Sequence, residues 1–204
     1  MTGNKGKPNG GKAGWQLRGS ESRFENEIFR LREDAVEVDG KKIKYAYVER
    51  ADAVIVVPVT AAGEIVILKQ YRYAVDEWCL EIPAGGTHDT CDAALEDVVR
   101  KELREEIGGT AKSIRYVDYF YSANALTDEK CHVFLAEGVE LTNEQETEST
   151  ESIEVKLVPA GEAVALAQNG KMKTGPCALA LLLCAPLLKR SAHGQLTPNE
   201  SLET

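Results

Sequence analysis

The stretch PAGGTHDTCDAALEDVVRKELREEIGG, residues 83–109, decides how this chain is read. Residues 92–107 contain neither Gly nor Pro, and Leu95, Val99, Leu103 and Ile107 recur at every fourth position. That spacing predicts a helix with one apolar stripe facing a core. At about 100° per residue, Glu102, Glu105 and Glu106 fall within an arc of about 100° beside the stripe. The pairs Glu96 with Arg100, Asp97 with Lys101 and Lys101 with Glu105 are opposite charges at i, i+4, as on a solvated face, and contribute about 0.2–0.5 kcal/mol each. Glu102 and Glu106 are like charges at the same spacing and cost a similar amount. A divalent cation removes that conflict. Magnesium takes hard oxygen ligands and typically binds through one or two carboxylates together with substrate phosphates. Without it, a carboxylate repels a phosphate charge about 4 Å away by about 1 kcal/mol even in water; with it, the sign of the site inverts.

Outward from this helix, IFRLREDAVEV and KKIKYAYVE flank Asp39-Gly40, the dipeptide of a tight hairpin. AVIVVPVT and EIVILKQYR flank AAG, and their near-continuous β-branched content predicts central strands covered on both faces. WCLEIP is a short strand leading into the quoted stretch. SIRYVDYFYS, KCHVFLAEG and SIEVKLV follow as strands, then a helix near residues 159–169 stopped by Gly170, and another opening at Pro176. This order predicts an α/β sandwich with a mixed sheet rather than a doubly wound parallel one.

The 204 residues suit one well-buried domain, and 43% hydrophobic with 28% charged residues is an ordinary globular composition. A net charge of −9 excludes broad nucleic-acid binding, which needs clustered Lys and Arg. The five cysteines form no CxxC pair and suit buried thiols in a reducing cytosol, not disulfides or structural zinc. Residues 1–14, Gly- and Lys-rich, and 190–204 read as disordered tails, and no signal peptide is expected. CALALLLCAPLL, residues 177–188, is shorter than the roughly 20 residues a membrane span needs, so no membrane partner is expected.

KELREEIGG, residues 101–109, resembles the second half of the Nudix box, G-x5-E-x7-R-E-U-x-E-E-x-G-U with U aliphatic. Glu102, Leu103, Glu105, Glu106 and Gly108 match its spacing, and EIPAGG, residues 81–86, resembles the strand and loop that open it. Lys101 stands where the family usually has Arg, and Gly109 replaces the last aliphatic residue. The loop GTHDTCD is two residues longer than the box allows. The resemblance implies a Nudix-type α/β/α sandwich with a mixed β-sheet, residues 51–189, and an N-terminal β-hairpin extension, residues 15–50, for dimerisation and substrate binding.

The region from VVPVTAAGEIVILKQYR to LEIPAGG, and the closing strand and helices, look like the ADP-ribose and nucleoside-diphosphate-sugar pyrophosphatases. That likeness implies attack of a metal-activated water on a pyrophosphate phosphorus, releasing a nucleoside monophosphate and a sugar phosphate. It implies magnesium, with manganese as the alternative, at Ala84, Glu102, Glu105 and Glu106. Glu106 is also expected among the catalytic residues. A general base is expected from NEQETESTESIEV, residues 143–155, with Glu148 and Glu151 preferred. Arg72, Glu81 and Arg50 are the expected substrate-binding residues, and a cytoplasmic homodimer is implied. FYSANALTDEK, residues 120–130, departs from the Ser-Pro-Gly of many ADP-ribose enzymes, which leaves GDP-mannose, ADP-glucose and other nucleoside-diphosphate sugars open. The alternative is a non-catalytic nucleotide-sugar sensor, although such modules often lose box carboxylates and none of the three is lost here. Isoprenyl diphosphate isomerisation lacks its acid–base constellation. His88 with Cys91 cannot fill a tetrahedral metal site, His132 reads as structural, and Trp15, Phe24 and Phe29 either pack or stack on a base.

Overall fold

Asp39 and Gly40 both take positive φ, 49° and 74°, and turn β2 (Phe29–Val38) back onto β3 (Lys41–Arg50) as the Asp-Gly pair predicts. The computed structural model describes residues 8–88, 93–146 and 152–188. In it the N-terminal extension is not a hairpin alone: β1 (Gln16–Glu25) pairs antiparallel with β2 and completes a three-stranded sheet. All of β1 is exposed, so it lacks the apolar alternation by which a strand is read. Cross-strand ion pairs, Arg18–Glu37 at 3.2 Å and Arg23–Glu33 at 2.7 Å, lie along it instead.

The larger, mixed sheet is built from β4 (Ala53–Thr60), β5 (Glu64–Arg72), β6 (Glu77–Glu81), β7 (Ala84–Gly86), β8 (Gly109–Thr110), β9 (Ser113–Tyr121), β10 (Lys130–Leu141) and β11 (Ile153–Pro159). Among the described residues of this sheet only β4 and β10 pair in parallel. Helices α1 (Leu95–Ile107), α2 (Ala160–Gln168) and α3 (Gly175–Cys184) cover it. Along β4, Val54 and Val56 face Val98, Val99, Leu103 and Ile107 of α1, whereas Ile55 and Val57 belong to the core that holds Ala163, Ala180 and Leu181 of α2 and α3. Both faces of the strand are therefore apolar, which is why its sequence does not alternate.

The expected helix over residues 92–107 starts later. Ala94 is extended, with ψ 144°, and α1 opens at Leu95; Asp92 and Cys91 lie outside the described residues. Gly108, at φ 58°, ends the helix by donating its N–H to the carbonyls of Leu103 and Arg104.

One departure from a simple hairpin places everything that follows. β4 and β5 pair only at Val59 and Ile65, then diverge. β6 pairs along the part of β5 beyond Ile67 and β7 along Ala53–Ile55 of β4, both away from the Val59–Ile65 pair, so the chain from Glu81 to Gly86 crosses the gap between two central strands. Among the described residues no helix is long and apolar enough to cross a membrane.

Candidate active site

Each of the first four residues of that crossing, Glu81 to Ala84, is held by a neighbouring residue. The buried Glu81 carboxylate accepts Arg72 Nε at 3.0 Å and Nη2 at 2.6 Å, a bidentate fork, and Thr174 Oγ1 at 2.9 Å. Cys177 Sγ donates to the carbonyl of Ile82 at 3.8 Å, and Val56 N–H to that of Pro83 at 2.8 Å. Ala84 donates its own N–H to Glu106 Oε2 at 3.0 Å. The strand exit thus meets α3, β4 and α1 within four residues.

From the helix side, Glu102 and Glu106 are only 7% and 3% exposed, extending the buried face of α1 beyond its apolar stripe. The Glu102 carboxylate lies directly over Gly85, where a Cβ would meet Oε1 at 2.0 Å. Glu105 points elsewhere: Lys101 Nζ lies 3.3 Å from its Oε2. The helix face that the sequence presents as a trio is thus divided into an inward pair and an ion-paired third. Among the described residues no three acidic, His or Cys side chains are grouped to enclose a metal ion unaided.

The segment after β10 closes over the end of the helix. Thr142 and Asn143 donate their N–H groups to the Gly108 carbonyl at 3.1 and 3.0 Å, Glu146 N–H bonds the Glu105 carbonyl at 2.9 Å, and Gln145 Nε2 bonds that of Glu106. These satisfy carbonyls that a helix end leaves open. On the other side, Ser152 offers its carbonyl to Tyr71 N–H at 3.2 Å, beside Arg72. Glu148 and Glu151 lie outside the described residues.

The electrostatics follow from this crowding. Glu81, and further off Glu106, hold the Arg72 guanidinium above its ordinary pKa, so it stays charged. Burial pushes the Cys177 thiol up to about 12, so it stays protonated and is no nucleophile. One cation and two buried carboxylates around a strand crossing suit a polyanion only if further positive charge enters.

The NUDIX domain family profile matches residues 49–176. The chain belongs to the Nudix family. This Nudix hydrolase is 32% identical over 163 residues to the ADP-ribose pyrophosphatase of Bacillus subtilis, spanning 79% of this chain and 87% of that one. It is 28% identical over 143 residues to the CMP-5'-(N-acetyl-N-hydroxy-3-aminopropyl)phosphonate hydrolase of Streptomyces rubellomurinus, with 70% and 68% covered. A crystal structure of an ADP compounds hydrolase shares the fold at a TM-score of 0.74 and 17% identity, over 85% of this chain and 94% of that one.

Nudix hydrolases generally use divalent metal ions, and the donors here fit one. Two buried carboxylates supply hard oxygens, and one of them, Glu102, occupies the space where any residue but Gly at 85 would carry its Cβ. Ala84 adjoins them, with its N–H on Glu106.

Arg50 of the Nudix hydrolase is engaged elsewhere than Arg72. Its Nε lies 3.2 Å from Glu129 Oε1 and its N–H donates to Asp128 Oδ1 at 3.1 Å, both on the connection between β9 and β10. His132 Nε2 of β10 lies 3.4 Å from Oδ2 of Asp52, the residue just ahead of β4, and His88 packs over Gly86. Trp15 meets Tyr45 edge-on at 6.4 Å, and Phe24 meets Phe29 at 5.6 Å, so all three aromatics pack within the extension. Thr174 escaped the sequence reading because a Thr ahead of Gly-Pro looks like an ordinary helix cap.

Proposed function

We propose that this Nudix hydrolase cleaves the diphosphate of a nucleoside diphosphate sugar, of the ADP-ribose type, to a nucleoside monophosphate and a sugar phosphate, with magnesium or manganese. The observation that carries this reading is the convergence of Arg72, clamped by Glu81, and the buried Glu102 and Glu106 on one strand crossing.

Arg72 spends Nε and Nη2 on Glu81, and its side chain is 44% exposed, so its remaining N–H donors reach solvent where a phosphate oxygen would lie. Glu102 and Glu106, with the Ala84 backbone, would hold the cation, and Glu105 would join them on leaving Lys101. Bound there, a divalent cation supplies positive charge against the phosphate oxygens and eases deprotonation of water. Glu148 or Glu151 would take the proton from the attacking water, since the described ends of their segment stand at α1 and at Tyr71.

Residues 51–189 would form the catalytic domain, and residues 15–50 an extension that a second copy of the chain covers. Leu17, Ile43 and Tyr45 are 37–40% exposed beside the buried Val36 and Tyr47, and Trp15, Tyr45 and Tyr121 line a groove of about 330 Å³ there. A sheet face of this kind supports a homodimer. The unbridged, buried Cys79, Cys131, Cys177 and Cys184 support a cytoplasmic setting.

The deciding experiment is phosphate release from ADP-ribose, ADP-glucose and GDP-mannose with a coupled phosphatase, with and without magnesium. Metal-dependent release from at least one is expected. Retained binding without turnover of any would instead establish a sensor.

A further inference from the structure

Thr174 is the residue that opens α3, yet its hydroxyl makes no bond to the helix it caps. A threonine in that position ordinarily turns its oxygen onto the second or third amide of its own helix. Here it donates to Glu81 Oε1 at 2.9 Å, across 93 residues of sequence, and Pro176 in the first turn removes one of the amides a cap would serve. Three residues on, Cys177 bonds the carbonyl of Ile82, so α3 grips two successive residues of the crossing.

The same Glu81 oxygen that accepts Thr174 also accepts Arg72 Nε at 3.0 Å. The Arg72 fork holds both Glu81 oxygens, but its guanidinium side is nearly half exposed, whereas Thr174 binds Oε1 from the buried α3 side. Fixing one oxygen from the α3 side fixes the plane of the carboxylate, and with it the plane of the planar guanidinium that forks onto it.

We propose that Thr174 is a positioning residue: its hydroxyl locks the Glu81 carboxylate so that Arg72 presents its remaining donors to the diphosphate in one orientation. This rests on the reading of Arg72 as a phosphate-binding residue. Thr174 touches neither substrate nor metal in this scheme, so its effect is on binding rather than on the chemical step.

The test compares Thr174→Val, which keeps the shape and loses the hydroxyl, with Thr174→Ser, which keeps the donor, each alone and combined with Arg72→Ala. Kinetics are read with magnesium on whichever of ADP-ribose, ADP-glucose and GDP-mannose the wild type turns over fastest, and Kd for all three by calorimetry. Thr174→Val is expected to raise KM and Kd roughly three- to tenfold with kcat within about twofold, Thr174→Ser to restore both, and Thr174→Val to add nothing once Arg72 is removed. Wild-type KM and Kd in Thr174→Val, or an equal loss in the Arg72→Ala background, would overturn the proposal, as would a lower melting temperature alone. If the wild type binds but hydrolyses none of the three, the hydrolytic reading fails and the Kd series still decides on Thr174. Binding of none overturns both.

Discussion

The Glu102 carboxylate fills the space that a side chain on Gly85 would need: a Cβ there would lie 2.0 Å from Oε1 and 2.5 Å from Oε2. Gly85 has no positive φ, so it supplies room and not backbone freedom. Gly85→Ala is expected to displace the carboxylate and lower hydrolysis at least about tenfold, at a stability cost of about 1–3 kcal/mol. Steady-state rates and a thermal melt measure both, and a fully active Gly85→Ala enzyme would remove Glu102 from the site.

Glu106→Gln keeps an oxygen for the Ala84 N–H and loses only charge. It, and Glu102→Gln, are expected to lower kcat by roughly a hundredfold or more while the protein stays folded. Without metal both should melt close to wild type, since the lost like-charge repulsion is offset for Glu106 by the lost attraction to Arg72. With magnesium only the wild type should gain stability by mass action. Melting curves in EDTA and in magnesium check the pattern, and equal gains in the variants would contradict it.

Arg72→Lys cannot reproduce the fork onto Glu81, since an ammonium is a point donor. KM for the diphosphate substrate should rise roughly tenfold or more, with a smaller change in kcat. An unchanged KM would assign Arg72 to the fold alone.

Burial pushes the thiols of Cys131, Cys177 and Cys184 up from 9.0 to about 12. A folded pKa above the unfolded one means that the unfolded chain loses these protons first, so their contribution is complete below pH 9.0 and fades as pH rises towards about 12. Melting temperature should therefore fall across that alkaline range, and less steeply in Cys131→Ala, Cys177→Ala or Cys184→Ala. At pH 8 the three should resist iodoacetamide until the chain is unfolded, as peptide mass spectrometry would report.

The half-exposed face of the extension gives the last expectation. Wild type should sediment at about twice its 22.3 kDa, and Ile43→Glu or Tyr45→Glu at that mass. A wild-type monomer at micromolar concentration would count against the homodimer.

Much of this was legible from residue order. The four-residue recurrence from Leu95 to Ile107 marks α1, the unbroken β-branched runs mark β4 and β5 as central, and Asp39-Gly40 marks a turn. Those signals are local, set by how often a side chain must face a core. β1 was silent because its stability comes from pairing with β2, not from an apolar face of its own.

The sequence by itself determined α1, the central strands and the Asp39-Gly40 turn, and that three carboxylates share one side of α1. Only the tertiary structure decided that Glu102 and Glu106 turn in to the crossing while Glu105 pairs with Lys101, and that Thr174 serves Glu81 and not its own helix. Those choices depend on β4 and β5 parting after Val59 and Ile65 and on what enters the gap. Contacts between residues far apart in the chain are made when elements pack, and no local period encodes them.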